Sequence, residues 1–69
     1  MRNNIFGKRL KELRLEKELS QEKLGQELGF SNQTISCWET GSREPDLETL
    51  LQIAHYFDVA LEELLEENI

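Results

Sequence analysis

The sequence predicts an all-α fold, a compact bundle of five short helices, and three observations predict it. Only eight of the 69 residues are β-branched (Ile5, Ile35, Ile53, Ile69, Val59, Thr34, Thr40 and Thr49), whereas the helix formers Leu, Glu, Lys and Gln abound. No stretch alternates apolar and polar residues with the period of two that a half-buried strand needs. Capping and breaking residues cut the chain into five segments, each with apolar residues three and four apart.

Asn3 or Asn4 is placed to cap a first helix running to about Lys17, with Phe6, Leu10 and Leu13 on its apolar side. Ser20 caps the second, and Leu19 before it is spaced to staple onto Leu24. Gly29 ends that helix by supplying positive φ. Ser31 repeats the device, with Phe30 spaced to staple onto Ile35, and the third helix runs to about Thr40 before Gly41 stops it. Pro45 prevents continuation, and Asp46 caps a fourth helix with Glu48 in its first turn. Leu47, Leu50, Leu51, Ala54 and Phe57 form a stripe expected to face the core. Leu61, Leu64 and Leu65 make a short fifth helix, with Glu62, Glu63, Glu66 and Glu67 outward.

Size and composition bound the function. A chain of 69 residues accommodates one domain, 1–69, and excludes a two-domain enzyme. Leu, Ile, Val and Phe supply 20 residues, above the roughly one-fifth level below which highly charged chains stay disordered. No apolar run approaches the roughly 18 residues of a membrane span, and nothing near Met1 resembles a signal peptide, so a cytoplasmic protein without a membrane partner is expected. Cys37 is the single cysteine, which rules out an intrachain disulfide, and no Cys/His cluster suits zinc. No nucleophile constellation, paired carboxylates or metal-ligand spacing stands out, so neither an enzyme nor a cofactor is expected, and no small-molecule ligand is evident.

The net charge of −6 argues at first sight against a polyanionic partner, but the charge is unevenly spread. All eight cations (Arg2, Lys8, Arg9, Lys11, Arg14, Lys17, Lys23 and Arg43) fall within residues 1–45, against seven acids, leaving that part at +1. Residues 46–69 hold the other seven acids and no Lys or Arg, giving an acidic C-terminal part that includes the helices within 46–67.

Residues 21–40, QEKLGQELGFSNQTISCWET, read as two short helices about a tight turn, with Leu24, Leu28, Phe30, Ile35 and Trp38 inward and Gly25 small where the helices cross. Together with FGKRLKELRLEKELSQEKL before it and ETGSREPDLETLLQIAHYF and LEELL after it, this segment closely resembles the XRE family of bacterial regulators, the phage lambda repressor and Cro type. The resemblance covers about residues 5–65. It implies a five-helix lambda-repressor-like DNA-binding domain whose helix-turn-helix occupies about residues 20–40. It further implies a transcriptional regulator, most simply a repressor, that lays its third helix in the major groove of an operator and acts as a homodimer.

The resemblance assigns roles residue by residue. Helical spacing places Ser31, Ile35 and Trp38 toward the core and Asn32, Gln33, Ser36 and Cys37 on the base-reading side. Amides suit that side because they pair bidentately with adenine, and the lack of Lys or Arg there predicts A·T pairs at the positions read. Phosphates are assigned to Gln21 with the first amides of the second helix, to Thr40, Ser42 and Arg43 after the third, and to Lys17. Arg14 and Glu39 match a partly buried structural ion pair. Leu61, Leu64, Leu65 and Ile69 are the expected dimer contacts. Relative to the family pattern, Ala60 lacks a capping oxygen and Gly25 replaces alanine, so Ala60→Ser and Gly25→Ala are each expected to stabilise. The alternative reading is a protein-interaction module on the same scaffold, its acidic second half docking a toxin or transcription-factor partner.

Overall fold

The structure, a computed structural model, describes residues 4–66. Its five helices are α1 (Ile5–Glu16), α2 (Gln21–Leu28), α3 (Asn32–Thr40), α4 (Leu47–Phe57) and α5 (Leu61–Leu65). The helices α2 and α3 pack on each other, α1 lies against α3 and α5, and α4 meets α5 and α2. Phe6, Leu10, Leu24, Ile35, Ile53 and Leu64, drawn from all five helices, are fully buried at the centre. The Trp38 ring meets the rings of Phe30 and Phe6 edge-on, at centroid distances of 4.9 and 6.4 Å, an arrangement that the ring quadrupoles favour.

Local signals set most of the boundaries. Ser20 Oγ accepts from the Lys23 amide, Ser31 Oγ from that of Thr34 and Asp46 Oδ1 from that of Thr49. Each bond satisfies an orphan donor of a helix first turn. The Thr49 side chain and amide together hold the Asp46 carboxyl below its ordinary range. Gly29 and Gly41 close α2 and α3 at φ 88° and 85°, a region closed to most side chains. Ala60 precedes α5 without a side-chain cap.

Three expectations fail, each for a tertiary reason. Asn4 sits before α1 but at φ 50° and without capping it; its Nδ2 instead donates to the Glu39 carbonyl at 3.0 Å, joining the start of α1 to the end of α3. Asn3 lies outside the described residues. On α4 the buried residues are Leu50, Ile53, Ala54 and Phe57, while Leu47 and Leu51 are 62% and 46% exposed. The helix docks on α5 and α2 through an arc rotated away from the expected stripe. At Gly25 the Phe30 carbonyl oxygen occupies the place where a Cβ would stand, so an alanine would collide with backbone. The expected stabilisation by Gly25→Ala therefore reverses in sign, because steric overlap outweighs a propensity gain of about 1 kcal/mol.

Candidate nucleic-acid interface

Two glycine-closed turns present α3 to solvent along one side. Asn32 and Gln33 are exposed, and Ser36 and Cys37 are half-buried. Ile35 and Trp38 anchor the opposite side in the core. Ser31 does not face inward as expected: it is exposed, its hydroxyl directed at the Thr34 amide and 3.0 Å from Thr34 Oγ1. Cap geometry, not helical phase, orients it, because Ser31 precedes the helix. Ser31, Gln33, Thr34, Cys37 and Arg43 line an open concavity of about 280 Å³ that unites the start of α3 with the loop beyond its end.

That loop is shaped by one carbonyl. The Cys37 oxygen accepts from the amides of Gly41 and Arg43 at 3.0 and 3.3 Å, and from Thr40 Oγ1 and Ser42 Oγ at 3.2 and 3.4 Å. This folds the chain back so that Arg43 borders the concavity. The exposed hydroxyls of Thr40 and Ser42 thus turn toward a carbonyl of their own chain. They hold the turn that presents Arg43, and reaching a phosphate would require both hydroxyls to rotate away.

Behind the exposed side, a polar network locks α1 to the two helices of the motif. Arg14 grips Glu39 bidentately, Nε to Oε2 at 2.7 Å and Nη2 to Oε1 at 3.1 Å. Its Nη1 donates to the Leu19 carbonyl at 2.7 Å. Gln21 Nε2 also donates to Glu39 Oε1, at 3.1 Å. The side chains of Arg14 and Glu39 are only 10% and 4% exposed, so the expected ion pair forms with most of its hydrogen-bonding capacity met inside the protein. Gln21, assigned to a phosphate by resemblance, gives one N–H of its side-chain amide to this network. Its second N–H and the first-turn backbone amides of α2, which have no intrahelical acceptor, remain for an anion.

The remaining assignments divide. Lys17 is exposed, and its Nζ stands 5.7 Å from the centroid of the Tyr56 ring on α4. Tyr56 in turn donates to Glu27 Oε1 at 3.3 Å. Desolvation, then the Glu27 charge and hydrogen bond, raise the pKa of its hydroxyl above 10.0. Leu64 is fully buried in the core of its own chain and cannot be a dimer contact. The short α5 turns that leucine toward α1 and leaves Leu61 and Leu65 half-buried. Ile69 lies outside the described residues. Among those residues no group of His, Cys, Asp or Glu is arranged to hold a metal, and no helix is long and apolar enough to cross a membrane.

Residues 10–64 match the helix-turn-helix family. The chain belongs to that family. It is 39% identical over 62 residues to an uncharacterised helix-turn-helix transcriptional regulator of Bacillus subtilis strain 168, YqaE, covering 90% of this chain and 53% of the relative. A second regulator of that organism, YgzD, is 38% identical over 63 residues, covering 87% of this chain and 96% of the relative. Among solved structures, the P22 c2 repressor in complex with a synthetic operator superposes at a TM-score of 0.83 with 32% identity, covering 91% of this chain and 96% of that one. The chain thus spans about half of YqaE and nearly all of YgzD. The five helices are those of a lambda-repressor-like domain.

Sequence reasoning missed several residues that build this region. Thr34 lines the concavity and pairs with Ser31, Asn4 ties α1 to α3, and Gln52 Nε2 caps the α2 carbonyl of Leu28 at 2.9 Å. Gly7 was missed too: a Cβ there would stand 2.5 Å from the Trp38 carbonyl oxygen, so glycine lets α1 touch the end of α3. The signal available in the sequence was the small residue one turn into an otherwise bulky helix.

Proposed function

We propose that this chain is a sequence-specific DNA-binding module of a transcriptional regulator that lays α3 in the major groove of a double-stranded operator. The observation that carries the reading is the exposed polar side of α3, bordered by Arg43 across one concavity and backed by a rigid, internally satisfied ion pair. Asn32 and Gln33 are the foremost base readers, with Ser36 and Cys37 flanking them. Arg43 and the first amides of α2 hold phosphates. Gln21, Thr40 and Ser42 contribute by holding those groups in place.

Repression is the simplest outcome, because a chain bound to an operator excludes other proteins, and the structurally similar P22 c2 protein is a repressor in complex with a synthetic operator. A homodimer supports it energetically. With so few cations one copy binds weakly, whereas two joined copies engage both half-sites at high effective concentration. Reading helices about 34 Å apart would then match one turn of DNA. A cytoplasmic setting and the lack of a catalytic role follow from this reading.

Site selection from random duplexes followed by titration over a salt series tests it. The expected result is a palindrome with A·T pairs under Gln33 and a log–log salt slope near −0.9 per phosphate neutralised. Binding that ignores salt, or an invariant guanine under Gln33, would overturn it.

A further inference from the structure

The turn that presents Arg43 is braced from a distant part of the chain. Its bonds to the Cys37 carbonyl are local, but Asn4 reaches the same turn from the start of α1. Asn4 Nδ2 donates at 3.0 Å to the carbonyl of Glu39, one of the four at the end of α3 that have no intrahelical donor. The same amide lies against Gly41, where a Cβ would stand 2.9 Å from both Asn4 Cγ and Oδ1. Gly7 completes the socket: a Cβ on it would overlap Asn4 Oδ1 and stand 2.6 Å from the Glu39 carbonyl oxygen. Asn4 itself is held at φ 50° and ψ 35°, a left-handed conformation that Asn adopts more readily than most side chains. Its carbonyl accepts from the Lys8 amide at 3.2 Å, which fastens it to α1. We propose that Asn4 is a positioning residue for DNA: by clamping Glu39 and Gly41 it fixes the direction in which Arg43 leaves α3, and with it the phosphate contact of Arg43.

Gly41 is where such a brace matters. At φ 85° and without a Cβ it joins α3 to the turn through backbone dihedrals that a side chain does not restrict. Rotation there would swing Arg43 relative to the reading helix, and a cation on a loose turn must be ordered on binding, at a cost in conformational entropy. Asn4 orders the turn before DNA arrives, using α1 as the fixed support. The role rests on the DNA-binding reading above and adds to it a residue that touches no DNA. A bond serving stability alone would lower the melting temperature of the free chain and leave the salt dependence of binding as it was.

The first arm of the test uses the free chain. The Gly41 and Arg43 amides donate to Cys37, and that of Ile35 to Ser31 within the body of α3. In Asn4→Gly, which suits the positive φ, hydrogen exchange at Gly41 and Arg43 should accelerate at least about 10-fold more than at Ile35, whose amide reports opening of the helix as a whole. The second arm titrates the duplex recovered by site selection between about 0.1 and 1 M salt. Asn4→Gly should make the slope shallower by about 0.9, which amounts to about 5-fold weaker binding at 0.15 M salt and none at 1 M. In an Arg43→Ala background the same change should have no further effect. Asn4→Asp, of equal size but without the donor, is the second variant, its effect read as the difference between the native and Arg43→Ala backgrounds so that its added charge cancels. Equal acceleration at Ile35 and Arg43, an unchanged slope, or losses that add in the double variant would each overturn the proposal. A native chain that binds no duplex would overturn the DNA reading and the phosphate role with it, whereas the exchange arm isolates failure of the clamp.

Discussion

Removing Glu39 should destabilise this protein severely. Glu39→Ala leaves Arg14 Nε, Arg14 Nη2 and Gln21 Nε2 without the carboxylate that accepts from all three. The guanidinium stays buried, since Leu19 still holds its other nitrogen. Leaving one charge of a buried pair unmatched costs about 3–5 kcal/mol. A domain of this length has roughly 3–10 kcal/mol in all, and each kcal/mol moves Tm by about 4–8 °C. Glu39→Ala should thus lower Tm by at least about 12 °C or leave the chain largely unfolded. Urea titration followed by Trp38 fluorescence suits the measurement, because that ring is 4% exposed and adjoins Glu39 in sequence. Arg14→Met combined with Glu39→Met is the informative partner, since it removes both charges and keeps the volume. It should recover most of the loss, as apolar replacements of buried pairs commonly do. A Tm shift below about 4 °C in Glu39→Ala with unchanged DNA affinity, or a double variant no better than the single, would refute the reasoning that an uncompensated charge is the cause.

Other outcomes follow from the same structure. Gly25→Ala should destabilise by about 1–3 kcal/mol, visible as a lower urea midpoint at constant m, because the Phe30 carbonyl occupies the methyl's place. Ala60→Ser should raise Tm, the new hydroxyl capping α5 for about 1 kcal/mol. In DNA titrations Arg43→Ala should reduce the salt slope by about 0.9 while keeping base preference. Gln33→Ala should keep the slope and relax preference at its A·T pair by about 1–3 kcal/mol. Asp46 has a lowered pKa, so its stabilising effect is present above the ordinary value of 3.8 and fades as pH falls through the lower folded value. The difference in Tm between the native chain and Asp46→Ala should therefore be full at pH 6 and shrink below pH ~4; a difference independent of pH would refute the cap's charge dependence.

Signals that act within a few residues were legible in the chain itself. Ser20, Ser31 and Asp46 cap, Gly29 and Gly41 stop, and Pro45 separates, because each works on backbone donors or dihedrals at most a turn away. Five helices, their order and the polar side of α3 follow from these alone, and the matching spacing of Arg14 and Glu39 followed from resemblance. Tertiary contact decided the rest. Which arc of α4 is buried depends on how it meets α5 and α2, so Ile53 went in while Leu47 and Leu51 stayed out. Whether Gly25 tolerates a methyl depends on where the chain places the Phe30 carbonyl after the turn. Asn4, Gln21 and Lys17 were drawn to Glu39 and Tyr56, partners 18 to 39 residues away along the chain. Helical periodicity sets the angle between side chains on one helix, but only the packing of helix against helix fixes which direction is inside.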